Sequence, residues 1–300
     1  MKKERKAIFF GCNGYLGSHV AYDLKSRGYF VFGFDIHNEP KFNHVDRYIK
    51  FDISNFENIK KIDLNVDYVY YFSGKTGTHG SLEKFDQFID VNEKGLLNVL
   101  MCIKEQNVFP KVIFPSTRLV YKGVENTPLS EDAEKEFKTI YALNKFHNEQ
   151  SLKMFNAYYK IPFTVFRICV PYGNTLSNDY SYGTIGFFLK QAKNDESITL
   201  YGEGNLKRTF TYVSDISNQI IRVSEQDMSN SETYNIAGET FSLIEIANLI
   251  SKKYSVNVER VDWPTIAMAL ESGDTIFNSL KIEKFTKTNK MSLHDWVKNL

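Results

Sequence analysis

The sequence is poor in the residues that mark cross-linked, membrane-spanning or polyanion-binding proteins. Among 300 residues it has three cysteines, Cys12, Cys102 and Cys169, an odd number without metal-type spacing. That excludes a disulfide framework and gives no reason to expect zinc or another metal; the thiols are read as reduced and mostly buried. No apolar run reaches the length of a membrane span. The first six residues are mostly charged, and the apolar stretch behind them, residues 7–10, is too short for a signal-peptide core. The expected compartment is therefore the cytoplasm. Neither charge sign dominates: Lys+Arg is 37 against 36 Asp+Glu, a net charge of +1. Bulk attraction to nucleic acid or an anionic membrane is thereby excluded as the default. Proline is scarce, at seven, and there is no internal repeat or low-complexity tract. What the chain does have is aromatic side chains, 15% of the total, which argues against disorder. Its length suits one large α/β unit or two packed domains.

Strand-like and helix-like segments alternate. Residues 7–10 form a short apolar run ending at Gly11, read as a buried strand. A helix over 15–27 follows, with Leu16, Val20 and Leu24 on one face and Gly28 as its stop. Further strands are expected at 29–34, 48–51, 66–72, 112–114 and 164–168. Ser54 and Glu57 have capping-box spacing for a short helix. A long helix over 82–105, broken near 90–92, and another over 141–159 fill the gaps. This order predicts an α/β fold, a doubly wound parallel sheet with helices on both faces. Residues 1–171 read as a Rossmann-type nucleotide-binding domain. Residues 172–300 read mostly as a smaller substrate-facing lobe, with the chain re-entering the main sheet around 208–237. In that lobe a helix near 185–193, a strand near 198–201, and a capping box from Ser242 to Glu245 opening a helix to about Tyr254 are expected.

Three clusters carry chemistry. Gly11, Gly14 and Gly17 form G-x-x-G-x-x-G between the first strand and the first helix, where backbone can approach a pyrophosphate at a helix N-terminus. Asp35 lies eighteen residues after Gly17, at the end of the second strand. A carboxylate there accepts from ribose hydroxyls and repels a 2′-phosphate, which favours NAD over NADP. Tyr141 and Lys145 are four residues apart and so share a helix face. An ammonium beside a phenol stabilises phenolate, which would let Tyr141 act as a base. Ser116 and Thr117 follow just after the fifth strand, and the strand ends of such a sheet are where ligands bind.

Together these residues resemble the extended short-chain dehydrogenase/reductases, specifically the NAD-dependent sugar-nucleotide epimerase/dehydratase group, over nearly the whole chain. The resemblance implies NAD held by Gly11, Asn13, Gly14, Tyr15, Leu16, Gly17, Asp35 and Ile36. It implies Asp52 and Ile53 at the adenine, and Phe72, Ser73, Gly74 and Asn92 bordering the cofactor, with Tyr141 and Lys145 shared between cofactor and chemistry. Thr117, Tyr141 and Lys145 match its catalytic set. Arg208, in R-x-F-x-Y-V-x-D, matches its diphosphate-binding arginine, with an ion pair to Asp215 or a neighbour as the structural alternative. Thr117, Arg208, Tyr201, Lys75 and His79 are the expected substrate contacts. A homodimer through helices near 93–106 and 143–158 is also implied. The second of these helices has Leu152, Phe155 and Tyr159 at helical spacing, which fits its own core equally well.

The departures from that pattern bear on function. Dehydratases of the group place Asp-Glu after the catalytic threonine; here Arg118 and Leu119 follow Thr117. A 4,6-dehydratase is therefore not expected, nor a decarboxylase, whose nearby Glu is also missing. Val170 stands where an asparagine often contacts the diphosphate, and Glu271 stands in place of a second phosphate-binding arginine. Arg118 reads equally as a ligand for substrate charge or as a surface residue. The expected activity is redox chemistry at C4 of a nucleotide-diphosphate sugar, first as a 4-epimerase. A 4-keto sugar-nucleotide reductase or 4-dehydrogenase uses the same residues, and a non-catalytic NAD-binding protein is the remaining alternative.

Overall fold

In a computed structural model of the chain, residues 4–77, 80–177, 180, 182–286 and 291–300 are described. Seven strands form the main sheet: Lys6–Phe10, Phe30–Asp35, Arg47–Lys50, Tyr68–Tyr71, Lys111–Thr117, Phe163–Ile168 and Glu232–Asn235. Numbered along the chain, they lie in the order third, second, first, fourth, fifth, sixth, seventh. Every neighbouring pair is parallel. The central strands are buried runs rather than alternating ones, as a sheet covered on both faces requires. One face packs under the helices Tyr15–Ser26 and Val213–Ser224, around Val20, Leu24 and Ile220. The other packs under Gly95–Glu105 and Ile140–Tyr159, around Leu100, Leu152 and Phe155.

The strand order reverses between the first and fourth strands, and the C-terminal ends on both sides of that point line one crevice. Ligands of open α/β sheets bind in such crevices. The second lobe packs beside it on its own apolar core, which includes Phe188, Leu200 and Ile246. Strand Lys207–Tyr212 pairs there with Val170–Tyr172 and Glu239–Ser242, in a sheet separate from the main one. The chain then returns to the main domain through Val213–Ser224 and the seventh strand.

Several elements differ locally from the sequence reading. The short helix Phe56–Ile59 is capped by Asn55, whose side chain accepts from the Asn58 N–H. Ser54 instead donates its hydroxyl to Asp52 at 2.7 Å, so the S-x-x-E spacing is not a capping box. Ser242 and Glu245 do form one. The expected break near residues 90–92 is a π-helical turn, Ile89–Lys94, between the helices Phe85–Phe88 and Gly95–Glu105. The fifth strand extends through Pro115, Ser116 and Thr117, all buried. Tyr159 is exposed rather than part of the inward stripe of its helix.

One buried ion pair ties the helix Ile140–Tyr159 to the sheet. Arg167 of the sixth strand donates to both oxygens of Glu149, from Nη2 at 2.6 Å and Nε at 3.0 Å. Ser116 donates its hydroxyl to the same carboxylate at 2.5 Å. Glu149 is 0% exposed and Arg167 3%. Removing one partner of such a pair leaves the other charge uncompensated in a low-dielectric interior, at a cost of about 3–5 kcal/mol. Glu149→Ala is expected to lose about that much stability, read as a lower urea midpoint at unchanged slope. A loss below about 1 kcal/mol would show that the pair does not hold the helix.

Candidate active site

The glycine turn meets the fourth strand closely. Gly11 has φ +81°, and a Cβ on it would press on the Phe72–Ser73 backbone. A methyl on Gly17 would collide with the Gly11 carbonyl oxygen. Gly14 is the N-cap of helix Tyr15–Ser26 and makes no side-chain cap, so the first-turn N–H groups remain open toward the crevice. Helix N-termini of this kind accept anionic oxygen.

Asp35 is 8% exposed at the end of the second strand. One oxygen accepts the Asn13 N–H at 2.9 Å; the other pairs with His37 Nδ1 at 2.6 Å. A ligand hydroxyl at Asp35 therefore shares this oxygen with His37 or displaces it. The Asn13 side chain is turned elsewhere. Its amide donates to the Glu39 carbonyl and the Tyr48 hydroxyl and accepts the Lys41 N–H, so it pins the loop after Asp35. Ile36 is exposed beside it. Asp52 accepts from Ser54, and Ile53 is buried against Gly95.

Asn92 sits on the π-helical turn and is 2% exposed. Its amide clasps the Lys75 backbone, accepting from N–H at 2.7 Å and donating to C=O at 3.1 Å. The wide turn aims this side chain inward, a role short π segments often play. The Lys75 side chain itself is exposed. His79 lies outside the described residues.

Thr117 ends the fifth strand, and its hydroxyl accepts the Leu119 N–H at 3.3 Å. Tyr141 and Lys145 face it from the helix, which begins where the Thr139 hydroxyl accepts the Ala142 N–H. Lys145 Nζ donates to the Pro115 carbonyl at 2.8 Å and lies 5.8 Å from the Tyr141 ring centroid. Burial lowers the Lys145 ammonium to about 7, against the opposing pull of Glu149. Burial, followed by Tyr182, pushes the Tyr141 phenol well above its ordinary value. The depression expected from Lys145 is thus outweighed by burial in this arrangement. The ammonium is turned to a carbonyl, and burial disfavours the phenolate.

These groups line one crevice with Gly14, Leu16, Gly17, Phe72 and Gly74. Ser73 adjoins it through the backbone contact with Gly11. Tyr15 bridges the two lobes: its hydroxyl donates to the Gly173 carbonyl at 2.6 Å and its ring stacks on Tyr182.

A second cleft adjoins the first on the far side of Thr117. Arg118, Arg208, Glu271, Tyr201 and Trp263 all line it. Arg208 is 5% exposed and donates to Glu271 at 2.6 Å, so its ion pair is with Glu271 and not with Asp215. Burial, then the charge of Arg118, lowers Arg208 to about 10, which leaves it charged at neutral pH. Tyr201 is partly exposed, with its ring 5.3 Å from that of Trp263.

Sequence reasoning did not single out Asn144, Asn148, Glu149, Tyr182 or Trp263. Asn148 donates to the Asn92 carbonyl and Asn144 to Glu93. The available signal was polar residues repeated at four-residue spacing on the same helix face as Lys145.

The residues present suit a dinucleotide. The uncapped helix N-terminus faces the crevice, the buried Asp35 stands at the second strand end, and Lys145 and Tyr141 close the far side. Among the described residues no group of His, Cys, Asp and Glu could hold a metal, and no helix is long and apolar enough to cross a membrane.

Comparison with known proteins agrees with this geometry. A probable UDP-glucuronate 4-epimerase of Rhizobium meliloti is 28% identical over 72% of this chain and 67% of its own. A UDP-N-acetyl-alpha-D-glucosaminuronate decarboxylase of Bacillus cytotoxicus is 28% identical over 79% of this chain and 76% of its own. The structure of Thermus thermophilus UDP-glucose 4-epimerase in complex with NAD superimposes with a TM-score of 0.85 at 20% identity, covering 98% of this chain and 96% of that one. Residues 7–237 match the family described as NAD dependent epimerase/dehydratase, and the chain belongs to that family of NAD-dependent sugar-nucleotide enzymes.

Proposed function

We propose that the protein is a 4-epimerase of UDP-hexoses using Thr117, Tyr141 and Lys145. The observation that carries this reading is the makeup of the crevice. Its described lining brings the Thr117 hydroxyl, the Tyr141 phenol and the Lys145 ammonium together among other hydroxyls and phenols, with no carboxylate. Removing and returning a proton at O4 while a hydride leaves and returns at C4 needs one acid–base group. Eliminating water across two carbons needs a second, and no carboxylate follows Thr117 in the sequence to supply it. The 4-epimerases among the relatives support the same choice.

In this reading Gly14, Gly17, Asp35 and Lys145 hold NAD, which supplies hydride acceptance and a positively charged ring that opposes the burial of a phenolate. Thr117 hydrogen-bonds O4 and orients it. Tyr141 takes the O4 proton to form the 4-keto sugar and returns it after the sugar has presented its other face. Lys145, fixed on the Pro115 carbonyl, holds the position of the phenol and the nicotinamide ribose. Arg208 binds the diphosphate, and Tyr201 flanks the nucleotide at the far end of the second cleft.

Acid release of nucleotide from freshly purified protein is expected to yield NAD at near 1:1 stoichiometry, and UDP-hexoses to change at C4 without net NADH formation. An empty site with stoichiometric NADH turnover would move the protein to the reductase reading. Tyr141→Phe is expected to lower kcat by about 10²–10⁴ while NAD and UDP binding persist; unchanged turnover would remove Tyr141 from the chemistry.

Lys145 also makes stability depend on pH. Its ordinary value is 10.5, and burial brings it to about 7 in the folded protein. Between those values the unfolded chain holds a proton that the folded chain lacks, so stability rises with pH across this window. The burial penalty is fully present below it. Lys145→Met removes the penalty. In cofactor-free protein its melting temperature should exceed wild type most at about pH 6.5, and the gap should shrink by about pH 9. A gap independent of pH would mean that Lys145 titrates elsewhere.

The same chain is proposed to form a homodimer through the outer face of helix Ile140–Tyr159. Leu143, Met154 and Tyr158 are exposed there at helical spacing, and Phe85 is exposed on a helix packed beside it. Placing Glu at both Met154 and Tyr158 is expected to yield monomers in sedimentation. A wild-type monomer would overturn the assignment.

A further inference from the structure

The second cleft contains an unusual charge arrangement. Two guanidinium groups, Arg118 and Arg208, are close enough for Arg118 to disfavour the charge on Arg208. Among the described residues only Glu271 forms an ion pair with either of them, and it binds Arg208. Arg118 makes no ion pair among the described residues. Its Nη1 donates to two neutral hydroxyls, Ser272 at 3.0 Å and Thr275 at 3.4 Å. Arg208 Nε is buried without a hydrogen-bond partner. A buried donor left unpaired beside a like charge is costly unless a ligand satisfies it.

We propose that Arg118 is a second ligand for the substrate diphosphate, acting with Arg208, and that Glu271 is a counter-ion that trims the charge of this site. The inference rests on the proposed use of a UDP-sugar. Arg118 is held by the 272–275 segment and opens into the cleft that Arg208 and Glu271 share. Glu271 fixes one end of the Arg208 fork, at Nη2. The unpaired Nε is left to meet an anionic oxygen. Asp274, whose charge also reaches Arg208, is turned to the Asn126 and Lys207 N–H groups, so the cleft lining itself carries two guanidinium groups against one carboxylate, suited to a diphosphate whose nucleoside end lies toward Tyr201 and Trp263. Arg118 is therefore a substrate-binding residue, and Glu271 a residue that sets affinity through Arg208.

The test is UDP binding by calorimetry, with bound NAD as the check that each variant is folded. UDP carries the diphosphate but no hexose, so it separates this contact from any carboxylate on the sugar. Arg118→Gln is expected to weaken UDP by about 10–100-fold, with Arg118→Lys retaining most of the affinity. Glu271→Gln is expected to tighten UDP by about 3–10-fold, because it removes a negative charge beside the anion. The double variant restores the wild-type net charge and should return to within about 3-fold of wild type. Unchanged UDP affinity in Arg118→Gln, or a loss confined to UDP-glucuronate, would overturn the assignment. So would equal or weaker binding in Glu271→Gln, a variant that reports even where Arg118→Gln fails to fold. A wild-type protein that binds no UDP would sink the proposed substrate class itself. A wild type that binds UDP while ignoring both substitutions would sink only the roles of Arg118 and Glu271.

Discussion

The site depends on the rotational setting of one helix. Tyr141, Lys145 and Glu149 recur every four residues on helix Ile140–Tyr159, so one rotation about its axis places all three. Glu149 fixes that rotation by gripping Arg167 on the sixth strand and Ser116 on the fifth. With the helix so clamped, Lys145 meets the Pro115 carbonyl and Tyr141 lies across from Thr117. A slip of one residue would turn the helix by roughly 100° and carry the phenol out of the crevice. The pair is costly to bury, and a hydrophobic substitute could be as stable. What an apolar contact lacks is direction, since it can slide without losing much. A forked guanidinium on a carboxylate cannot.

The second clamp acts on the cofactor side. Asn92 and Asn148 join the π-helical turn to the same helix and to the loop after the fourth strand. The glycine turn is packed against that loop too closely for any side chain at Gly11. Displacing the helix would therefore disturb the crevice wall on the glycine-turn side as well as Tyr141 and Lys145.

Much of this was legible in the sequence, because the main sheet is built from uninterrupted buried runs and its helices from clear apolar faces. The glycine turn, Asp35, Thr117, Tyr141 and Lys145 carry local patterns that survive without tertiary context. Other features were set by contacts between distant segments. Pro115, Ser116 and Thr117 read as lying beyond the fifth strand, yet parallel pairing with the sixth strand carries it through Thr117. Ser54 lost the cap to Asn55 because Asp52 took its hydroxyl. Arg208 found Glu271, sixty-three residues away, rather than the nearby Asp215. Asn92 was legible as a position but not as a clasp on Lys75, which depends on the π turn. In each case the local rule was sound and a partner from elsewhere in the chain decided the outcome.

The two clefts also divide charge between them. At the reacting end the lining is nearly neutral, and burial drives both Lys145 and Tyr141 toward their uncharged forms. At the far end two guanidinium groups converge with a single carboxylate. A ligand with a diphosphate at one end and a neutral sugar at the other can satisfy both regions in one orientation only. Reversed, its phosphates would lie beside the buried Tyr141 and its sugar against the two guanidinium groups, which would lose the anion they are placed to meet. Binding energy gathered at the diphosphate then serves to hold a weakly polar carbon beside the phenol, where the contacts of the sugar alone would discriminate poorly between its faces. For the proposed epimerase that tolerance is useful, because its sugar is presented in two orientations. Such an enzyme needs a strong anchor at the diphosphate and a permissive reacting end, and the charge lining of the two clefts is consistent with that reading.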